Sequence, residues 1–354
     1  MPELNELSTL VRAWLAVALA AGVVAAVLCL IVPATRRWLP PQRRRASVWN
    51  GPLVGALFLL LVYLPGTVPS ITGRDVLARW LWKSAPDETA ARLVAGGAAR
   101  VITLPLFVAA WWGLLASAGY PAAALGLYPR RAAGDAVGAY RTWLVVTPAV
   151  YGANLVVLLV YALGIGRQPE EHPILELLRQ HPPAPVIGLL VTQAVLVAPL
   201  CEELFFRGAV QPWLAARPWG GSFALILAAF VGVLQRLVPE PNFRDPSEVL
   251  SVLAPALFVL ALVPLCRALD GWPGLVRWLP VGDPVARRQA ARAIFGTAAL
   301  FANVHAAVWP SPICLFVLAL GLGWLAYRTQ GIIAPMVMHM LFNSVAFAEL
   351  YLKS

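Results

Sequence analysis

Two adjacent carboxylates and an arginine, Glu202, Glu203 and Arg207, interrupt the apolar run Ala198-Pro-Leu-Cys-Glu-Glu-Leu-Phe-Phe-Arg-Gly-Ala209. An ionisable group within a membrane-length apolar segment costs about 2.5–3.5 kcal/mol on insertion scales, so it persists where a partner or a function compensates. Four-residue spacing places Glu203 and Arg207 on one helix face, with the acid N-terminal, the favourable order for an ion pair. Glu202 is rotated by about 100° from that face. Its i+3 and i+4 neighbours are Phe205 and Phe206, so it has no polar partner within its own helix. A carboxylate in that position is a candidate general base.

Two later apolar segments carry groups that could act with it. The first holds Phe301-x-x-x-His305 and the second His339-x-x-x-Asn343, each pair one helical turn apart. Taken singly, each residue has a structural role open to it. The histidines are then satisfied buried imidazoles, Asn343 is an interhelical hydrogen-bonding residue, and Glu203 with Arg207 is an ion pair near a helix end. Taken together, one carboxylate and two imidazoles allow two chemistries. One is metal-free activation of water by Glu202; the other is a zinc site built from Glu202, His305 and His339 with a fourth position for water. The sequence lacks His-Glu-x-x-His, and these three residues lie on different segments.

The elements that must position these groups are membrane helices. The 354 residues are 60% hydrophobic and 12% charged, with a mean hydropathy of +0.74. A soluble domain is nearer ~25% charged. The pattern predicts an all-α, polytopic transmembrane helix bundle with about ten spans, at roughly 13–32, 52–72, 93–118, 141–165, 186–216, 222–237, 248–269, 290–309, 311–328 and 331–352. The net charge of +10 comes from arginines clustered between apolar runs, a topological signal directed at lipid headgroups and not at nucleic acid. Loops that are cytoplasmic when the N-terminus is outside hold more basic residues than the others, so this orientation in a cell membrane is expected. The cysteines, Cys29, Cys201, Cys266 and Cys314, read as packing residues without a disulfide framework. A proline-rich polar stretch at 166–185 divides residues 1–185, helices of unassigned role, from residues 186–354, which carry the motifs. His172 and His181 in that stretch read as ordinary exposed side chains.

Glu202-Glu203-x-x-x-Arg207, Phe301-x-x-x-His305 and His339-x-x-x-Asn343, in this order on separate helices, resemble the CPBP family of intramembrane proteases. That family comprises type 2 CAAX prenyl endopeptidases and bacteriocin-processing and immunity proteins. Phe206-Arg207-Gly208 and the stretch from Gly321 to Pro335 are similar to it as well. The resemblance implies hydrolysis of a peptide or membrane-protein substrate within the bilayer, without a cofactor or, alternatively, with zinc. It gives Glu202 and His305 the activation of water and His339 with Asn343 the oxyanion, while Glu203, Arg207 and Phe301 support them. A segment of two spans at about 222–290 stands where the family passes almost directly to the Phe-x-x-x-His helix. Two rival classes use the same residues: a noncatalytic scaffold or immunity protein, and a proton-coupled transporter whose buried Glu202, His305 and His339 relay protons. A complete motif set disfavours the first, and the lack of repeated halves disfavours the second.

Overall fold

The computed structural model describes residues 49–72, 74–82, 88–117, 119, 126–165, 168–237, 241, 243–271 and 284–354, with Val17, Ala20, Val23 and Val24. The expected span at 13–32 falls largely outside the described residues, as does much of the basic loop at 267–289. The chain forms α1 (Gly51–Thr72), α2 (Arg74–Leu81), α3 (Glu88–Ser117), α4 (Ala132–Val160), α5 (Pro173–Arg179), α6 (Ala184–Ala215), α7 (Gly220–Leu237), α8 (Pro246–Gly271), α9 (Pro284–Asn303), α10 (Ser311–Thr329) and α11 (Ile333–Lys353). It is an all-α bundle, and no strand occurs among the described residues. Among those residues seven helices are long and apolar enough to cross a membrane, including α3, α6, α7, α8, α10 and α11.

Local chemistry sets several ends. Pro185 sits in the first turn of α6, where its fixed φ suits the helix and its missing N–H leaves no bond unmade, and Pro218 follows the last turn. Between α10 and α11, Gln330 adopts a left-handed φ of 50°. This reverses the chain, and the N–H of Ile332 then bonds the carbonyl of Gly126. The 166–185 stretch is not all loop. It contains α5, whose first turn is capped by His172 Nδ1 accepting from the N–H of Ile174 at 3.2 Å.

Packing concentrates around α6 and α9. The glutamate helix α6 touches α1, α3, α9, α10 and α11, while α9 lies against α7, α8 and α10. Backbones meet directly where α7 crosses α9. A Cβ added at Gly296 would lie 2.8 Å from the carbonyl oxygen of Gly221 and 2.7 Å from Cβ of Ala224. Small residues allow such contact, and it supplies the dispersion energy that a hydrophobic effect cannot supply between helices in lipid. The segment expected as an insertion thus packs closely on the helix leading to His305.

Candidate active site

Helix α6 is one rod in two phases. Its α-helical centre, Ala198–Phe205, lies between π-helical stretches at Thr192–Val197 and Phe206–Val210. Stretches of this kind recur at functional sites, and the wider turn puts carbonyls out of step with the ladder. Both are met from other elements. Asn343 Nδ2 on α11 donates to the carbonyl of Ala194 at 2.8 Å. Trp49 Nε1 donates to the carbonyl of Gly208 at 2.6 Å.

The central turn carries the acids. Glu203 is fully buried, and its Oε1 accepts from Arg207 Nη1 at 3.0 Å and lies 2.9 Å from His339 Nδ1. A carboxylate opposite Nδ1 assigns a proton to that nitrogen and leaves Nε2 directed elsewhere. Arg207 also donates to the carbonyl of Ala319 on α10 at 3.3 Å. Its guanidinium lies 4.5 Å from the centre of the Phe301 ring, and that ring contacts both His305 and His339. Glu203 is therefore the junction of α6, α10 and α11, a larger role than the intrahelical pair legible in its spacing.

Glu202 faces the other way, with a fifth of its side chain exposed. Its Oε1 lies 3.9 Å from His305 Nε2 and its Oε2 4.0 Å from His339 Nε2. His305 Nδ1 is 2.8 Å from the carbonyl of Phe301, which requires Nδ1 to be the donor. Both imidazoles thus have Nδ1 fixed and Nε2 turned to a separate oxygen of one carboxylate.

His305 is not on a helix, in contrast to the apolar span expected at 290–309. Helix α9 ends at Asn303, and residues 304–310 form turns. The His305 N–H bonds Ala302, so the Phe301 carbonyl is left for the imidazole. Tertiary contacts hold the turn: Glu170 accepts from Arg236 through two bonds at 2.7 Å and from the Trp309 N–H at 2.9 Å. Arg236 also donates to the carbonyl of Ala307 at 3.3 Å. Residues from the linker and from α7 determine where the helix stops, and no local pattern around 305 records them.

Glu202 and His305 line a cavity of about 710 Å³, within the range of small-ligand sites. Its walls come from α1, α3, α6, α7 and the His305 turn, and most lining side chains are apolar, including Phe58, Leu61, Phe107, Phe205 and Leu234. Two residues not singled out in the sequence matter here. Buried Gln211 donates to the carbonyl of Gly323 at 2.8 Å, locking α6 to α10. Arg100 enters the cavity lining from α3. The signal for Arg100 is an arginine inside the apolar span 93–118.

Zinc sets a geometric test. With bonds of about 2.0–2.1 Å, neighbouring ligands at a tetrahedral ion lie about 3.3–3.4 Å apart, against 3.9 and 4.0 Å here between Glu202 and the imidazoles. Among the described residues no group of three or more His, Cys, Asp and Glu side chains is placed to hold a metal. As placed, Glu202 and the two imidazoles are spaced more widely than the ligands of one bound ion.

Fold and site together define a multi-pass membrane protein with a buried carboxylate–histidine centre beside an apolar cavity. The family model described as Type II CAAX prenyl endopeptidase Rce1-like matches residues 184–268 and 249–345, a stretch that includes α6, the His305 turn and Asn343. Over these residues the chain is similar to that family. No curated protein and no solved structure matches the chain.

Proposed function

We propose that the protein is an intramembrane endopeptidase that cleaves CAAX-type peptide substrates with water activated by Glu202. The observation that carries this reading is the pair of Nε2 atoms facing the two oxygens of a cavity-lining carboxylate. Water held between Glu202 and His305 gives a proton to Glu202 as its oxygen attacks the scissile carbonyl. His339, held on Glu203, can carry a second proton on Nε2 and donate it towards the oxyanion; Asn343 has one amide hydrogen left beyond its bond to Ala194. Collapse of the tetrahedral adduct breaks the C–N bond, and Glu202 returns its proton to the leaving amine. Glu203, Arg207 and Phe301 hold the two histidines in place.

The test is cleavage of prenylated and unprenylated C-terminal peptides by purified protein in lipid, with products identified by mass, with and without chelator. Cleavage that persists in chelator is expected. Loss restored by added zinc would transfer Glu202, His305 and His339 to a metal mechanism, and no cleavage of any such peptide would favour a noncatalytic scaffold. The arginine distribution also supports an N-terminus outside the cell membrane, with the loops at 33–50 and 267–289 both cytoplasmic. Single cysteines placed in these loops should label from the same side of oriented vesicles; labelling from opposite sides would contradict it.

A further inference from the structure

Among the described residues lining the cavity that holds Glu202, Arg100 is the one lysine or arginine. It lies twelve residues after Glu88 in a thirty-residue helix, about 18 Å along an axis of about 45 Å. For a hydrocarbon layer of ~30 Å centred on that helix, the residue is about 10 Å inside the nearer edge. A guanidinium at such depth is costly and calls for a partner. Among the described residues no carboxylate forms an ion pair with it, and the Arg100 hydrogen bond there is to its backbone carbonyl, from the Thr103 hydroxyl.

Its placement follows from α3. Gly96, Arg100, Thr103, Leu104 and Phe107 share one helical stripe, and all line the cavity. Across it, α6 presents Val197, Ala198, Cys201, Glu202 and Phe205. Arg100 lines the same cavity as Cys201, the residue preceding Glu202. A Cβ at Gly96 would meet nothing within 4 Å, so space remains one turn from Arg100.

We infer that Arg100 binds the terminal carboxylate of the substrate peptide in the cavity and so positions the scissile bond against Glu202. The inference rests on the endopeptidase reading. A planar guanidinium suits bidentate contact with a carboxylate, and such charge-assisted bonds are about twice as strong as neutral ones. With mostly apolar walls and one cation, the cavity takes a hydrophobic C-terminal segment, and the cut is measured from the chain end. Arg100 acts in recognition and positioning, and takes no part in proton transfer.

The experiment separates this role from catalysis by measuring binding in the Glu202→Gln protein, in nanodiscs of zwitterionic lipid. The probe is a fluorescent peptide offered as the free C-terminal acid or as the amide. The acid should bind about ten-fold or more tightly than the amide, and Arg100→Gln in the same background should erase that difference. Arg100→Lys should restore part of it. In the active protein, Arg100→Gln should raise KM for the acid with a smaller effect on kcat, and should leave the amide unaffected. Equal binding of acid and amide, or discrimination that survives Arg100→Gln, would overturn the assignment. Equal binding together with Arg100-dependent retention of phosphatidylglycerol would also overturn it and give the cation to a lipid headgroup. Because binding is read without turnover, failure of the protease reading leaves this result distinguishable.

Discussion

Glu202→Gln should yield a folded protein that does not turn over. The nearest ring nitrogens to this carboxylate are 3.9 and 4.0 Å away, beyond direct hydrogen-bond distance. Replacing one oxygen by an amide nitrogen therefore removes no close contact, and the melting temperature should stay within a few degrees of wild type. The amide cannot take a proton from water, however, and a positioned general base supplies about 10²–10⁴-fold on its own. Since the same group must return the proton to the leaving amine, the loss should reach the limit of detection. His305→Ala should approach it in severity. Asn343→Ala should raise the barrier by about 2.7–4 kcal/mol if the amide binds the oxyanion; a strut to Ala194 alone would show chiefly in stability. Full activity in Glu202→Gln would remove the glutamate mechanism.

Arg207→Ala should act through folding. The Arg207 and Glu203 side chains are both fully buried, and removing one member of such a pair commonly costs about 3–5 kcal/mol because the other charge is stranded. The effect here includes loss of the bond to Ala319 and of the ring contact with Phe301. Folded yield in detergent and melting temperature should both fall. The double variant Glu203→Gln with Arg207→Met removes both charges and should recover part of the stability, while remaining poorly active because a neutral amide in place of the carboxylate holds His339 less firmly. An Arg207→Ala protein of unchanged stability and no activity would move the arginine into the reacting centre.

The parts of this site that sequence reveals are those governed by period and polarity. Glu203 and Arg207 are legible as a pair because four residues return a helix to the same face, and Glu202 stands apart for the same reason. The all-α membrane fold follows from composition and the length of the apolar runs. What cannot be read depends on distant partners. Nothing within α6 announces a π turn, since the carbonyls it displaces are satisfied by Trp49 and Asn343, 159 and 149 residues away from Gly208 and Ala194. The end of α9 escapes a sequence reading because Glu170 and Arg236 hold the turn after it. Arg100 is in view as a charge in an apolar span, but its meaning needs the cavity.

The two phases of α6 also bear on how such a chain can change over generations. Glu202 and Glu203 are the same amino acid at neighbouring positions, and they hold different posts only because the winding before them sets the angle at which each leaves the rod. Deleting one residue from Thr192–Val197 would let the wide turn, which holds one residue more than an α turn, close to α-helical winding, and both acids would keep their posts. Deleting one residue between Ala198 and Cys201 would instead bring Glu203 to the place of Glu202 and Leu204 to the buried junction with His339. Substitution can drift along this helix and the wide turn can absorb a loss, whereas a single-codon loss within its α-helical centre exchanges the duties of its acids at once. The tolerant sites for insertion lie instead in the loops that join the helices, where an added residue shifts no register.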